Sequence, residues 1–119
     1  MDIYREDVLD HYNHPRNKGL IDGENVLTGS GANASCGDSV VIHLKISGGK
    51  IIEMKWEGSG CAISTAAASK LSQYLQGRTL KEVTDMSEEE LTQKAIGIEV
   101  NPGRIKCLLL PGSVVKKML

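Results

Sequence analysis

The chain has 119 residues, 40% hydrophobic and 24% charged, with a formal net charge of −1. That length suits one modest core, so a single domain over residues 1–119 is expected, and the near-neutral balance argues against a generic nucleic-acid or anionic-membrane surface. No apolar run reaches the roughly 18–20 residues that span a bilayer, and the charged start Met1-Asp2-Ile3-Tyr4-Arg5-Glu6-Asp7 has no signal-peptide core, so the cytoplasm is the expected compartment.

Tyr4, Val8 and Tyr12 recur every four residues, with Leu9 beside them, and predict a first helix that Asp2 caps and Pro15 stops. Residues 16–35 are rich in Gly, Asn and Ser and read as loop, with a short strand near Val26–Thr28. Val40, Ile42, Leu44 and Ile46 then alternate with Val41, His43, Lys45 and Ser47. Gly48-Gly49 makes a two-residue turn, and Ile52, Met54 and Trp56 alternate with Ile51, Glu53, Lys55 and Glu57. This is a β-hairpin with one buried and one wet face.

After Gly58-Ser59-Gly60, an Ala-rich helix is expected from Ala62 to Gln76, with Ile63, Ala67, Leu71 and Tyr74 inward and Gly77 at its end. Two capping boxes, Thr79…Glu82 and Ser87…Glu90, each start a short helix. A loop over 97–103 precedes a last helix from about Lys106 to Met118, in which Pro111 is best tolerated near the start. With no Phe and one Trp, the core must be aliphatic. The element order predicts an α+β fold: a small three-stranded antiparallel sheet with helices packed on one face, plus an N-terminal helix.

The three cysteines all fall at element boundaries. Cys36 and Asp38, at the extended start of the first hairpin strand, share the parity of Val40 and Ile42 and point to the helix-covered face. Cys61 and Cys107 each open a helix, where partial positive charge favours the thiolate, and Arg104 and Lys106 add cations beside Cys107. Three thiols and a carboxylate at one end of a sheet suit a soft metal, an iron–sulfur cluster or sulfur in transit. Taken singly, each cysteine reads as a small buried hydrophobe, Asp38 as a turn residue, and Arg104 and Lys106 as a solvated face. No CxxC pair is present. His43 is expected at the surface of the hairpin, and His11 and His14 in structural positions closing the first helix.

Asp10-His11-Tyr12-Asn13-His14-Pro15-Arg16-Asn17-Lys18-Gly19, Asn33-Ala34-Ser35-Cys36-Gly37-Asp38, Gly58-Ser59-Gly60-Cys61-Ala62-Ile63-Ser64 and Arg104-Ile105-Lys106-Cys107 together resemble the IscU/SufU family, the NifU N-terminal-like scaffolds of iron–sulfur cluster assembly. The resemblance runs over nearly the full length. It implies that Cys36, Asp38, Cys61 and Cys107 ligate zinc, iron or a transient [2Fe-2S] cluster. It also implies that Cys107 accepts persulfide sulfur from a cysteine desulfurase, aided by Lys106 and Arg104, and that downstream apo iron–sulfur proteins receive the cluster.

Two departures bear on the branch. Lys106 stands where IscU-type members have histidine, as in the SufU branch of zinc-dependent sulfur acceptors, yet Cys61 and Cys107 lie 46 positions apart, close to IscU spacing. Asn101-Pro102-Gly103-Arg104 replaces the Leu-Pro-Pro-Val-Lys stretch that a dedicated Hsp70-type chaperone reads, which argues against that partner. The readings are therefore a scaffold, in which Asp38 keeps the cluster labile, or a zinc-bound persulfide carrier with sulfurtransferase activity. A purely structural zinc module and a cysteine hydrolase rank below them.

Overall fold

The computed structural model describes residues 3–34, 37–100 and 102–119, with the backbone alone for residues 3–5. Asp2, the expected cap of the first helix, lies outside them. Helix α1 (Ile3–Asn13) is followed by strands β1 (Val26–Asn33), β2 (Asp38–Ser47) and β3 (Lys50–Ser59), then helices α2 (Ala62–Leu75), α3 (Leu80–Thr84), α4 (Glu88–Ala95) and α5 (Ile105–Met118). The sheet is antiparallel in the order β1-β2-β3. This is the expected α+β arrangement.

Several local expectations shift. Helix α1 buries His11 and part of Val8, while Tyr12 and Leu9 are exposed. The cause is polar docking on α2. Arg16 N–H donates to Ser69 Oγ at 2.9 Å, and Ser69 Oγ lies 2.7 Å from His11 Nδ1. The chain beyond α1 stays strapped down: Trp56 Nε1 donates to the Arg16 carbonyl, Asn17 Nδ2 to Ser72 Oγ, and Gly19 N–H to the Trp56 carbonyl. The family-like Pro-Arg-Asn-x-Gly run is thus a strap along β3.

Strand β1 continues past Thr28 to Asn33, because β2 offers it a full-length partner from Val26↔Lys45 to Asn33↔Asp38. Its glycines make room for α5: a Cβ on Gly31 would lie 2.6 Å from Val114 Cγ2. At the hairpin, Gly48 (φ 59°) and Gly49 (φ 74°) adopt the two left-handed conformations of a primed turn.

A bulge then changes the register. Lys45 pairs with Glu53 but Ile46 with Ile51, leaving Ile52 unpaired. The extra residue flips the parity, so Ile51 is fully buried and Ile52 is 48% exposed, the reverse of the simple alternation. His43 is on the outer face as expected, but it is buried there, its Nδ1 3.0 Å from Thr28 Oγ1 on the neighbouring strand.

Helix α2 packs on β3, α1, α4 and α5 at once. Its buried face is therefore wider than one stripe, and small residues fill it: Ser64, Ala66, Ala67, Ala68, Ser69 and Ser72 are buried with Leu71 and Leu75. Tyr74, expected inward, is only partly buried. Thr79 and Ser87 cap the two short helices as expected, each side-chain oxygen accepting the N–H three residues on at 3.1 Å, while the Glu82 and Glu90 carboxylates pair with Arg78 and Lys94 instead of closing the boxes. Helix α5 runs through Pro111, which is buried well inside it rather than at its start. The core lies between the sheet residues Val40, Ile42, Leu44, Ile51, Met54 and Trp56 and the helices above them.

Candidate metal centre

Asp38 opens β2, Cys61 is the N-cap residue of α2, and Cys107 lies in the first turn of α5. Strand parity turns Asp38 inward, to 2% exposure, and Cys107 is wholly buried while Cys61 is half-buried. One ligand atom from each of the three lies within 4.8 Å of the others. Residues 23 and 46 positions apart along the chain thus meet at one end of the sheet. Cys36, the remaining expected ligand, lies outside the described residues.

The carboxylate of Asp38 has two differently placed oxygens. Oδ1 accepts the Cys61 N–H at 3.1 Å and the Ser64 hydroxyl at 3.2 Å. Oδ2 is buried and has no hydrogen-bond partner among the described residues. An unpartnered buried carboxylate oxygen is costly, and a cation beside two thiols removes that cost. The donor set, two sulfurs and a carboxylate oxygen from this trio, suits zinc or iron. The residues present therefore fit a metal.

Burial pushes the Cys61 thiol up, but the Ser64 N–H, the Ser64 hydroxyl and the Ile63 N–H outweigh it and the opposing charge of Asp38, leaving the thiol below its ordinary pKa. The Cys61 thiol also reaches Ser64 Oγ at 3.8 Å. Gly60 completes the arrangement, because any Cβ there would overlap Asp38 Oδ1 and Ser64 Oγ.

Arg104 is the residue before α5 and Lys106 its second residue, and both side chains are exposed. Lys106 lines a surface cleft of about 270 Å³ with Asn33, Glu88, Leu110 and Lys117. The three histidines stand apart from the trio of ligand atoms. The sequence reading missed Ser64 and the steric role of Gly60. The Cys61-x-x-Ser64 spacing was the available signal, because a side chain at the third helical position reaches back to the cap. Here Ser64 Oγ lies 3.0 Å from the Cys61 carbonyl.

No helix among the described residues is long and apolar enough to cross a membrane. The chain is 31% identical to the zinc-dependent sulfurtransferase SufU of Bacillus subtilis (strain 168), over 97% of this chain and 88% of that protein. It is 30% identical to the iron-sulfur cluster assembly scaffold protein IscU of Thermotoga maritima, over 98% and 92%. These alignments span 131 and 132 positions, longer than this chain, so both relatives carry residues it lacks. Its fold is similar to that of a Fervidobacterium islandicum AW-1 protein assigned as an iron–sulfur cluster assembly scaffold for the SUF system (TM-score 0.71, 27% identity, 95% of this chain and 93% of that one). A family model described as the NifU-like N terminal domain matches residues 3–119, and the chain belongs to that family, the family of IscU and SufU.

Proposed function

We propose that this chain is an iron–sulfur cluster assembly scaffold that accepts sulfur from a cysteine desulfurase and transiently holds a [2Fe-2S] cluster as cargo on Cys36, Asp38, Cys61 and Cys107. The observation that carries the reading is the convergence of Asp38, Cys61 and Cys107 ligand atoms within 4.8 Å, with a buried carboxylate oxygen unpartnered among the described residues. One oxygen ligand among thiolates makes the cluster easier to release to downstream apo proteins.

Sulfur enters as persulfide on Cys107. Its thiolate attacks the outer sulfur of the desulfurase persulfide, one S–S bond forms as another breaks, and the desulfurase leaves as thiolate. Cys107 is wholly buried, so transfer requires a local opening that exposes its thiol. Arg104 and Lys106, exposed at the start of α5, favour the arriving anion.

The exposed Lys106 and the similarity to SufU support a second reading, a zinc-bound persulfide carrier. Zinc would be held by the same four residues and would keep the thiols deprotonated. Anaerobic purification with metal and acid-labile sulfide analysis, paired with a desulfurase stimulation assay, separates the two. Iron with sulfide supports the scaffold, and zinc with strong stimulation supports the carrier. Neither metal nor added sulfur on Cys107 by mass spectrometry would refute both.

A further inference from the structure

Ser64 is buried beside the metal centre and is not a ligand in either reading. Its hydroxyl lies 3.2 Å from Asp38 Oδ1, 3.0 Å from the Cys61 carbonyl and 3.8 Å from Cys61 Sγ. The Cys61 thiol donates to Ser64 Oγ, and the hydroxyl has one proton of its own, so it serves either Asp38 Oδ1 or the Cys61 carbonyl at a time. The ionised carboxylate is the stronger of the two, because a charged acceptor roughly doubles the strength of a hydrogen bond. With the Cys61 N–H on the same oxygen, Oδ1 is held by two donors while Oδ2 has none among the described residues. Gly60 closes the remaining side, since a Cβ there would overlap both Asp38 Oδ1 and Ser64 Oγ.

We propose that Ser64 is the positioning residue of the metal centre: it pins Asp38 through Oδ1 and leaves Oδ2 alone for the metal, making the aspartate a one-oxygen ligand. This rests on the reading of Asp38, Cys61 and Cys107 as ligands. Without the hydroxyl, the carboxylate keeps a single anchor and turns more freely, toward a two-oxygen grip on the metal or away from it. Supports of this kind orient a ligand, and their loss costs about 10–100-fold in metal affinity.

The test uses the full chain as wild type, Ser64→Ala, Asp38→Ala and the double variant. Zinc affinity is measured by chelator competition, with cobalt(II) as the spectroscopic probe. Ser64→Ala should weaken zinc by about 10–100-fold. Its cobalt complex should keep the thiolate charge-transfer band while the ligand-field bands weaken, as a tetrahedral site gives way to higher coordination. In the Asp38→Ala background the same change should cost less than about twofold, because the group it acts through is gone. Gly60→Ala, which presses on the same two oxygens and keeps the hydroxyl, is the second probe should Ser64→Ala fail to fold. Its effect should also vanish without the carboxylate. A Ser64→Ala affinity equal to wild type, or a loss that persists in full without Asp38, overturns the proposal. Absence of any charge-transfer band in the wild type overturns the ligand reading and the proposal together.

Discussion

Gly60 links the sequence to the chemistry through a single missing atom. Its lack of a side chain lets the Asp38 carboxylate and the Ser64 hydroxyl close over the start of α2. Gly60→Ala forces those oxygens apart and should cost about 1–3 kcal/mol of stability, as overpacking does, measured by urea unfolding of the metal-free protein. Asp38→Cys tests the opposite property. A fourth thiolate replaces the one oxygen ligand, so a bound [2Fe-2S] cluster should survive chelator challenge longer than in the wild type, followed by its visible absorbance. A shorter lifetime would count against Asp38 as the release point. At this scale the meeting of Asp38, Cys61 and Cys107 was legible in the sequence, because strand parity fixes the side of Asp38 and helix starts fix Cys61 and Cys107. Ser64 and Gly60 were not, because their roles depend on distances across the fold to a residue more than twenty positions away.

At the scale of elements, the docking of α1 depends on a neutral histidine. His11 is held below the ordinary histidine pKa, first by burial and then by the Arg16 and Lys70 charges, with Asp7 and Asp10 opposing. Ser69 Oγ accepts the Arg16 N–H and lies 2.7 Å from His11 Nδ1, while His11 Nε2 lies 3.7 Å from Asp7 Oδ1. Lys70 bonds the same carboxylate, and Arg16 bonds Asp10. Because the folded pKa is depressed, the unfolded chain takes up a proton first as pH falls. The contribution is complete above the ordinary value of about 6.5 and is lost as pH drops from there toward the lowered folded pKa. The protection of α1 amides, taken as exchange relative to the intrinsic rate at each pH, should therefore fall over that range, and His11→Gln should flatten the dependence. A wild-type profile as flat as the variant's would refute it. The helical period predicted α1 and the inward side of Val8 but not the exposure of Tyr12 and Leu9, since polar partners on α2 turn His11 inward instead. Strand alternation likewise located the hairpin but not the bulge at Ile52, because an extra residue leaves no mark on a run of two isoleucines.

At the scale of the whole molecule, the question is whether metal builds the fold or only fastens it. The centre joins the start of β2, the β3–α2 junction and the start of α5, so a bound ion ties three elements together at one end. The core lies elsewhere, with Ile42, Leu44, Ile51, Met54, Trp56, Leu71, Leu75, Leu91 and Val115 essentially inaccessible to solvent and none of them a ligand. Burying each such side chain contributes about 1.5–3 kcal/mol whether or not metal is present. Chelation should therefore leave the domain folded, with its far-UV circular dichroism intact and a cooperative thermal transition. Free metal at about a hundred times its dissociation constant adds about 2.7 kcal/mol by linkage, a shift on the order of 10 °C for a chain of this size. Loss of the transition on chelation would mean that metal is a folding partner, as in a structural zinc module. A lowered but intact transition is what a carrier needs, because a site that loads and unloads cannot be the part that holds the protein together.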